Sequence, residues 1–220
     1  MRRLNTFAAI AFAAAAPLAF SNEIPPASTA PVPAGAYSVD KAHTSLQFRV
    51  KHLGFSYFTG RFTNVNANLK FDPNDLRDSS VSVTVDPKSI YSDNAPGGFI
   101  DTLTGTEFLD AAKYPQMSFV SKSVESTGDQ TFRIRGELTL HGVTKPVTLE
   151  ARYNGGYAGH PYDPHARVGF SASGTFKRSD FGVSFGIPSA ENHYFGVSDD
   201  VQVVLESEFS GPALAKVASN

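Results

Sequence analysis

Hydrophobic and polar residues alternate along most of the chain. Leu46, Phe48 and Val50 share one parity while charged and polar residues occupy the other, and residues 65–71 repeat the same pattern. Six further segments alternate in this way, the first of them less regularly: 115–124, 81–85, 132–140, 147–153, 168–176 and 201–209. A period of two is typical of β-strands that bury one face. The pattern therefore predicts an all-β chain of seven or eight antiparallel strands.

Turn-forming residues separate these strands. The segments STGDQ (126–130) and LHGVTKP (140–146) are short enough to be hairpin connections, and Pro146 is expected near a strand start because it has no amide proton to donate. Residues 99–113 break the alternation, and we predict a short helical insertion there. One-sided strands bury their apolar face either by closing into a barrel or by packing as two sheets, and periodicity alone leaves both open.

The two ends of the chain differ from its middle. Arg2 and Arg3 precede an apolar, alanine-rich stretch that ends in small residues, so residues 1–21 are predicted to be a secretory signal peptide and the protein to be periplasmic. Residues 22–36 are rich in proline and alanine and are predicted to form an extended spacer. Residues 211–220 are expected to be a flexible tail, which leaves residues 37–210 as one domain.

Charge and composition exclude several classes of protein. The formal net charge is −2, and loss of Arg2 and Arg3 with the signal would make it −4, which argues against nucleic acid as a partner. The chain has no cysteine, so disulfides do not support the fold. The strands lack aromatic girdles at their ends, which argues against a barrel embedded in a membrane. We therefore expect that the protein is not an integral membrane protein.

No motif in the chain indicates catalysis. The six histidines form no HExxH pair, and the weak metal site conceivable at His160 and His165 lies in a proline-bearing loop. Asp180 and Glu191 could act as acid and base, but strand ends commonly carry such residues. His52 continues the inward parity of Phe48 and Val50. It could be a buried histidine bonded to a turn carbonyl, a contact for a ligand head group or a catalyst, and the first interpretation is favoured.

Phenylalanine dominates the apolar positions. The chain has 18 phenylalanines and no tryptophan, and many of the phenylalanines lie in the predicted strands. Such rings contribute a large apolar area without a polar group. The interior of an eight-stranded barrel can be filled by side chains or can hold one small ligand, and the pattern does not decide between these.

Several segments together resemble the YceI-like family of periplasmic polyisoprenoid-binding proteins. The segments, in chain order, are YSVDKAHTSLQFRVKHLGFSYFTGRF (37–62), FLDAAKYPQMSF (108–119), GELTLHGVTKPVTL (136–149), RSDFGV (178–183) and VSDDVQVVLESEF (197–209). The resemblance implies a lipocalin-like antiparallel eight-stranded barrel. It also implies an elongated apolar cavity that holds a long-chain isoprenoid lipid or a quinone-like amphiphile, with no other cofactor and no metal.

A ligand site follows from the resemblance and the strand parity. We predict that inward-facing residues and Phe181 of the RSDFGV segment line the cavity: Phe48, Val50, His52, Phe71, Phe119, Phe132, Ile134, Leu138, Phe170, Ala172, Phe176 and Phe181. The predicted function is that of a periplasmic binding or carrier protein, not an enzyme. Two alternatives remain at this point: an enzyme that acts on such a lipid through His52 and Asp180, and a stress-induced module that binds another protein. A homodimer is also possible.

Overall fold

A computed structural model describes residues 31–160, 162–191 and 195–214 of the chain. The predicted signal peptide and most of the predicted spacer lie outside these residues. Ten strands are described: β1 (Gly35–His52), β2 (Ser56–Phe62), β3 (Val65–Phe71), β4 (Ser80–Val85), β5 (Ile90–Tyr91), β6 (Met117–Gly128), β7 (Thr131–Leu140), β8 (Val143–Tyr157), β9 (His165–Lys177) and β10 (Val197–Ala213).

Eight of these strands close into an antiparallel barrel. The order around the barrel is β10, β9, β8, β7, β6, β4, β3 and β1, and pairing of β1 with β10 closes the ring. Every pairing between neighbouring strands is antiparallel. The predicted eight-stranded barrel is therefore confirmed, and closure explains how one-sided strands bury their apolar face without leaving long free edges.

Strand β1 connects the two ends of the barrel. Its first residues, Gly35–Ser38, pair with β3, while its second half, from Leu46 to His52, pairs with β2. An irregularity between Asp40 and Ser45 in its pairing with β10 bends the strand, as β-bulges do. Strands β2 and β5 continue beyond the ring at the β1 C-terminal end, so the barrel wall flares there. We call this end the mouth and the opposite end the closed end.

Local sequence explains the connections. β7 and β8 are joined by His141 and Gly142, both with positive φ (52° and 76°), the geometry of a two-residue hairpin turn of type I′. Pro146 is the fourth residue of β8 and lies opposite Glu137. The pairing of β8 with β9 begins only at Leu149, so Pro146 lies where β8 has one neighbour and its missing amide proton costs no ladder bond.

The helical insertion is short. A single helix, α1 (Phe99–Thr104), follows Gly98 and stops at Gly105, and residues 105–113 form turns. The strands also extend slightly beyond the predicted domain: β1 begins at Gly35 inside the predicted spacer, and β10 reaches Ala213 inside the predicted tail. No helix among the described residues is long and apolar enough to cross a membrane.

The closed end is packed with side chains. Tyr37 and Phe71 are 2% and 1% exposed, and their rings meet edge to face at a centroid distance of 5.6 Å. A Cβ at Gly211 would lie 2.1 Å from the Tyr37 ring, so only glycine leaves room for it. The Tyr37 hydroxyl donates to the carbonyl of Pro33 at 2.6 Å, and burial raises the pKa of Tyr37 to about 12. The buried Tyr37 ring, whose hydroxyl is hydrogen-bonded, thus holds the start of β1 in the barrel.

Candidate functional site

A large cavity occupies the mouth half of the barrel. Its volume is about 800 Å³, within the usual range of small-molecule sites. Side chains from β1, β2, β4, β6, β7, β8, β9 and β10 form its wall. The wall is overwhelmingly apolar, because the inward parity of each strand carries aliphatic and aromatic residues. Such a cavity favours a ligand with a long hydrocarbon portion.

The segment between β5 and β6 covers one side of the cavity. Phe99 and Leu103 lie four residues apart on one face of α1, and both border the cavity. Phe108 and Leu109 follow in the turns after the helix and also border it. The Phe99 ring meets Phe58 of β2 at 5.4 Å, which joins this segment to the flared wall. Sequence analysis assigned no ligand contact to these residues, although their apolar i, i+4 spacing was a usable signal.

Exposed aromatic residues surround the mouth. Phe55, in the turn between β1 and β2, is 87% exposed, and its neighbours Leu53 and Ser56 border the cavity. On another side Phe185 and Phe195 border the cavity and are partly exposed, and their rings are 6.2 Å apart. An apolar rim continuous with an apolar interior suits entry of a lipid chain.

Arg178 is a charged group in the cavity wall. It follows β9, is 4% exposed, and its guanidinium donates to four backbone carbonyls. Nε donates to Ser198 at 3.0 Å, Nη2 to Val197 at 2.9 Å, and Nη1 to Val183 and Phe185 at 3.2 and 2.7 Å. Burial lowers its pKa from the ordinary arginine value. Arg178 therefore ties the start of β10 to the loop after β9 and shapes the mouth.

A second, smaller chamber lies toward the closed end. Its volume is about 110 Å³, and small residues such as Ala67, Ala151 and Ala172 contribute to its wall. The main cavity and this chamber share a boundary of side chains that border both: Val83, Phe119, Leu149 and Leu205. We refer to these residues as the partition and to the smaller space as the distal chamber.

The structure distributes the predicted site residues over three places. The main cavity is bordered by Phe48, Val50, His52, Phe119, Leu138 and Phe176. The distal chamber is bordered by Phe119 again and by Phe132, Ile134, Phe170 and Ala172. The remaining two, Phe71 and Phe181, are buried in the packed core and border neither space.

Physical reasons explain why Phe71 and Phe181 are placed in the core. Phe71 faces inward but lies at the closed end, where Tyr153 and Phe170 pack against it at 5.7 and 6.1 Å. Phe181 lies outside the strands, in a short turn after β9, and its ring meets Phe176 edge to face at 5.4 Å. Their predicted place on the cavity wall is corrected: parity gives the face of a strand but not the depth along the barrel.

His52 lies at the mouth and is exposed. Its carbonyl accepts the amide proton of Phe55 at 2.9 Å, but its ring has no hydrogen-bond partner among the described residues. The favoured interpretation of a buried histidine bonded to a turn carbonyl is therefore wrong. The strand ends at the mouth, and the flare of β1 and β2 leaves its last inward position open to solvent. Contact with a ligand head group stays a prediction.

The polar cluster with the clearest electrostatic effects lies outside both spaces. On the outer surface near the closed end, Asp40 accepts hydrogen bonds from Nδ1 of His43 at 3.0 Å and from Arg167, and these bonds lower the pKa of Asp40 to about 2. Hydrogen bonding to Asp40 and the nearby charge of Glu208 raise the pKa of His43. Asp40, His43 and Glu208 are close enough to share a metal ion, but Asp40 is already held by Arg167. We infer that this cluster stabilises the fold.

His160 and His165, where the sequence makes a weak metal site conceivable, lie in the loop between β8 and β9 and at its junction with β9, and the bonds of this loop are local. Nδ1 of His160 accepts the amide proton of Tyr162 at 3.2 Å, and the backbones of His160 and Asp163 pair with each other. Asp163 in turn accepts Nε of Arg167 at 2.9 Å. These hydrogen bonds hold the loop in a defined local structure.

Fold and cavity together define a closed antiparallel barrel with a large apolar cavity inside. A family model for the YceI-like domain matches residues 37–209, so the chain belongs to the YceI-like family, as the sequence predicts. A UPF0312 protein of Pseudomonas putida is 38% identical over 154 residues, which is 68% of this chain and 77% of the relative. A UPF0312 protein of Pseudomonas fluorescens is 36% identical over 168 residues, or 74% of this chain and 84% of the relative.

Solved structures share the fold. BcnA of Burkholderia cenocepacia matches with a TM-score of 0.64 and 26% identity, covering 77% of this chain and 98% of that one. The YceI protein of Campylobacter jejuni matches with a TM-score of 0.63 and 30% identity, covering 74% and 90%. A polyisoprenoid-binding domain from Saccharophagus degradans matches with a TM-score of 0.55 at 14% identity, covering 80% and 98%, and this similarity supports the fold alone.

Proposed function

We propose that this protein is a periplasmic carrier that binds one long-chain isoprenoid lipid or quinone-like amphiphile inside its barrel. The observation that carries the proposal is the apolar cavity of about 800 Å³ with its rim of exposed phenylalanines. The polyisoprenoid-binding domain of Saccharophagus degradans, which shares the fold, is consistent with this ligand class.

Binding explains the site better than catalysis does. Among the described residues, the titratable groups that border the main cavity are His52, Tyr57 and Arg178, and no carboxylate joins them. Arg178 already donates to four carbonyls, and Asp180, which the enzyme alternative pairs with His52, does not border the cavity. General acid–base catalysis needs a group of suitable pKa within reach of the proton that it transfers, and the cavity wall does not pair His52 with a carboxylate.

The expected affinity comes from burial of hydrocarbon. Each buried methylene contributes about 0.8 kcal/mol, so ten methylene groups contribute roughly 8 kcal/mol before the costs of binding. Loss of translational freedom and ordering of a flexible chain oppose part of this gain. A net affinity useful for a carrier therefore requires no strong polar contact.

A matched pair of variants tests the proposal. Val50 faces the cavity and is buried, whereas Lys51, the next residue, is exposed. We expect Val50→Trp to place a large ring in the cavity and to displace the lipid, while Lys51→Trp adds the same ring outside. Native mass spectrometry of gently purified proteins measures the bound lipid. Equal lipid occupancy in both variants would contradict the proposal.

Export can be tested separately. We expect a mature protein that begins near Asn22 and is released with the periplasmic fraction, because residues 1–21 have the composition of a cleavable signal. N-terminal sequencing of the protein recovered from each cell fraction measures this. Recovery of a chain that begins at Met1 from the membrane pellet would reject cleavage and release.

A further inference from the structure

The distal chamber borders the main cavity across a partition whose side chains are folded against the wall. The ring of Phe119 lies over Gly136 of β7, where a Cβ would be 2.3 Å from Cζ of Phe119. Further around the barrel, a Cβ at Gly174 of β9 would be 2.7 Å from Cδ2 of Leu149 on the neighbouring strand β8. Glycine within a strand often marks a close approach of another group. Here each glycine lets a large side chain lie flat against the barrel wall, which widens the interior at the partition.

We propose that the distal chamber is the binding subsite for the end of the ligand's hydrocarbon chain and that it sets the chain length the protein prefers. This inference rests on the proposed function. The residues that leave the chamber open are Ala151 and Ala172, which lie directly opposite each other on β8 and β9. On the opposite edge of β9, Leu205 of β10 pairs with Ala172. Because Leu205 belongs to the partition, this pairing places Ala172 directly beside the boundary between the two spaces.

The length of the main cavity shows why a second subsite matters. From His52 at the mouth to Leu46, six residues of β1 advance about 20 Å, which is about 15 Å along the axis of a barrel with tilted strands. An extended peptide advances about 3.3–3.6 Å per three backbone bonds, so an extended hydrocarbon chain advances about 1.2 Å per bond. A chain of about a dozen carbons therefore reaches the partition, and a longer extended chain must pass it.

The chemistry of the distal chamber fits an alkyl terminus. Its wall is almost entirely apolar, with rings from Phe132 and Phe170 beside the small alanines. Four residues with hydroxyl groups also border it: Thr44, Ser79, Ser80 and Ser207. Oγ1 of Thr44 is buried and has no hydrogen-bond partner among the described residues, while Oγ of Ser207 donates to a backbone carbonyl. Such hydroxyls offer a charged or strongly polar head group little to replace its hydration, and burial of a polar group without hydrogen bonds costs free energy. The chamber thus suits the apolar end of a chain and not its head group.

The test compares two alcohols of different length on four proteins. Decanol fits within the main cavity and octadecanol does not, and their dissociation constants are measured by displacement of an apolar fluorescent dye. Ala172→Phe and Ala151→Leu each fill the distal chamber from a different strand. Ser173→Phe adds the same ring as Ala172→Phe at the next residue, which is exposed, and serves as the matched control.

We expect the affinity of the wild-type protein to rise by up to about fourfold for each additional buried methylene, so that octadecanol binds far more tightly than decanol. Both chamber-filling variants should bind decanol as the wild type does, which also shows that they are folded, and should lose at least roughly tenfold in octadecanol affinity. The control should bind both alcohols normally. If both variants keep the wild-type ratio of affinities, the chain folds back within the main cavity and the distal subsite is refuted.

The same experiment separates this inference from the function on which it rests. Failure of the wild-type protein to bind either alcohol would overturn the proposed lipid-binding function and the subsite with it. If both variants bind decanol normally and keep the wild-type ratio of octadecanol affinity to decanol affinity, the subsite alone is overturned. Loss of decanol binding in both variants would also count against the subsite, because a separate distal chamber cannot affect a chain that stops at the partition.

Discussion

The two ends of the barrel have the same alternating sequence pattern, but the interior is filled with side chains at one end and holds a cavity at the other. At the closed end, the inward positions of β1, β3 and β9 carry Tyr37, Phe71 and Val168, and these side chains fill the interior. At the mouth, the inward positions carry residues of the same kind, such as Phe48 and Phe176, yet they surround a cavity of about 800 Å³. The chemical types of the residues therefore do not explain the difference.

The difference lies in how the strands meet. At the closed end β1 pairs with β3 and β10, and the rings of Tyr37, Phe71, Tyr153 and Phe170 contact one another across the interior. At the mouth β1 pairs with β2 instead of β3, and the wall flares around the segment that contains α1. The inward side chains there border open space as well as one another. The comparison teaches that strand connectivity, not local composition, creates the cavity.

Truncation of one phenylalanine at each end tests this comparison most directly. We expect Phe71→Ala to lower the free energy of unfolding by about 3–5 kcal/mol, because it opens a cavity in a filled core. Phe48→Ala should cost only about 1–2 kcal/mol, because its ring already borders open space. Urea unfolding of both variants measures the two costs. Equal costs would mean that the mouth is packed as tightly as the closed end.

Removal of the Arg178 guanidinium should have a slightly smaller effect. Arg178→Met keeps an unbranched apolar stem but leaves four carbonyl groups without their donor, and we expect a loss of about 3 kcal/mol. Arg178→Lys should be intermediate, because one ammonium cannot reproduce the planar set of donors. Unfolding of both variants, together with the lipid content of the purified proteins, measures the effect on fold and mouth. If Arg178→Met left the free energy of unfolding unchanged, this structural role would be contradicted.

At the closed end, Asp40 is expected to make a smaller and pH-dependent contribution. Its pKa falls from 3.8 to about 2 on folding, so it stabilises the native state above about pH 4, and this stabilisation disappears as the pH falls toward 2. We expect Asp40→Asn to cost about 1 kcal/mol at neutral pH, since the partners are partly solvated. Unfolding from pH 6 to pH 2 should show the two proteins converge in acid. A constant difference across this range would exclude titration of Asp40 as the cause.

The smallest effect is expected at His52. Because its ring is exposed and has no hydrogen-bond partner among the described residues, His52→Ala should change the free energy of unfolding by less than about 0.5 kcal/mol. Binding of the apolar dye should be unchanged, since the wall below His52 stays intact. A melting temperature close to that of the wild type, with a large loss of lipid, would instead identify His52 as a head-group contact.

Much of the candidate site could be predicted from parity and family resemblance. Phe48, Val50 and Leu138 border the main cavity as the inward parity of their strands indicates. Parity could not separate the main cavity from the distal chamber, where Ala172 and Phe132 lie, or from the core that holds Phe71. It also missed Phe99 and Arg178, because neither lies in a segment that alternates. Depth within a barrel depends on register and tilt between strands, which a single strand does not encode.

The sequence by itself determined the eight strands of the barrel, their inward and outward faces and the hairpin at His141 and Gly142, because these depend on side-chain periodicity and on local backbone preferences. Strands β2 and β5 lie outside its alternating segments. Tertiary structure alone decided that the barrel is filled at one end and open at the other. It did so by bringing residues distant in the chain into register, so that Phe119 lies over Gly136 and Leu149 over Gly174. The shape of an interior depends on which side chains face one another, and that is set by strand pairing.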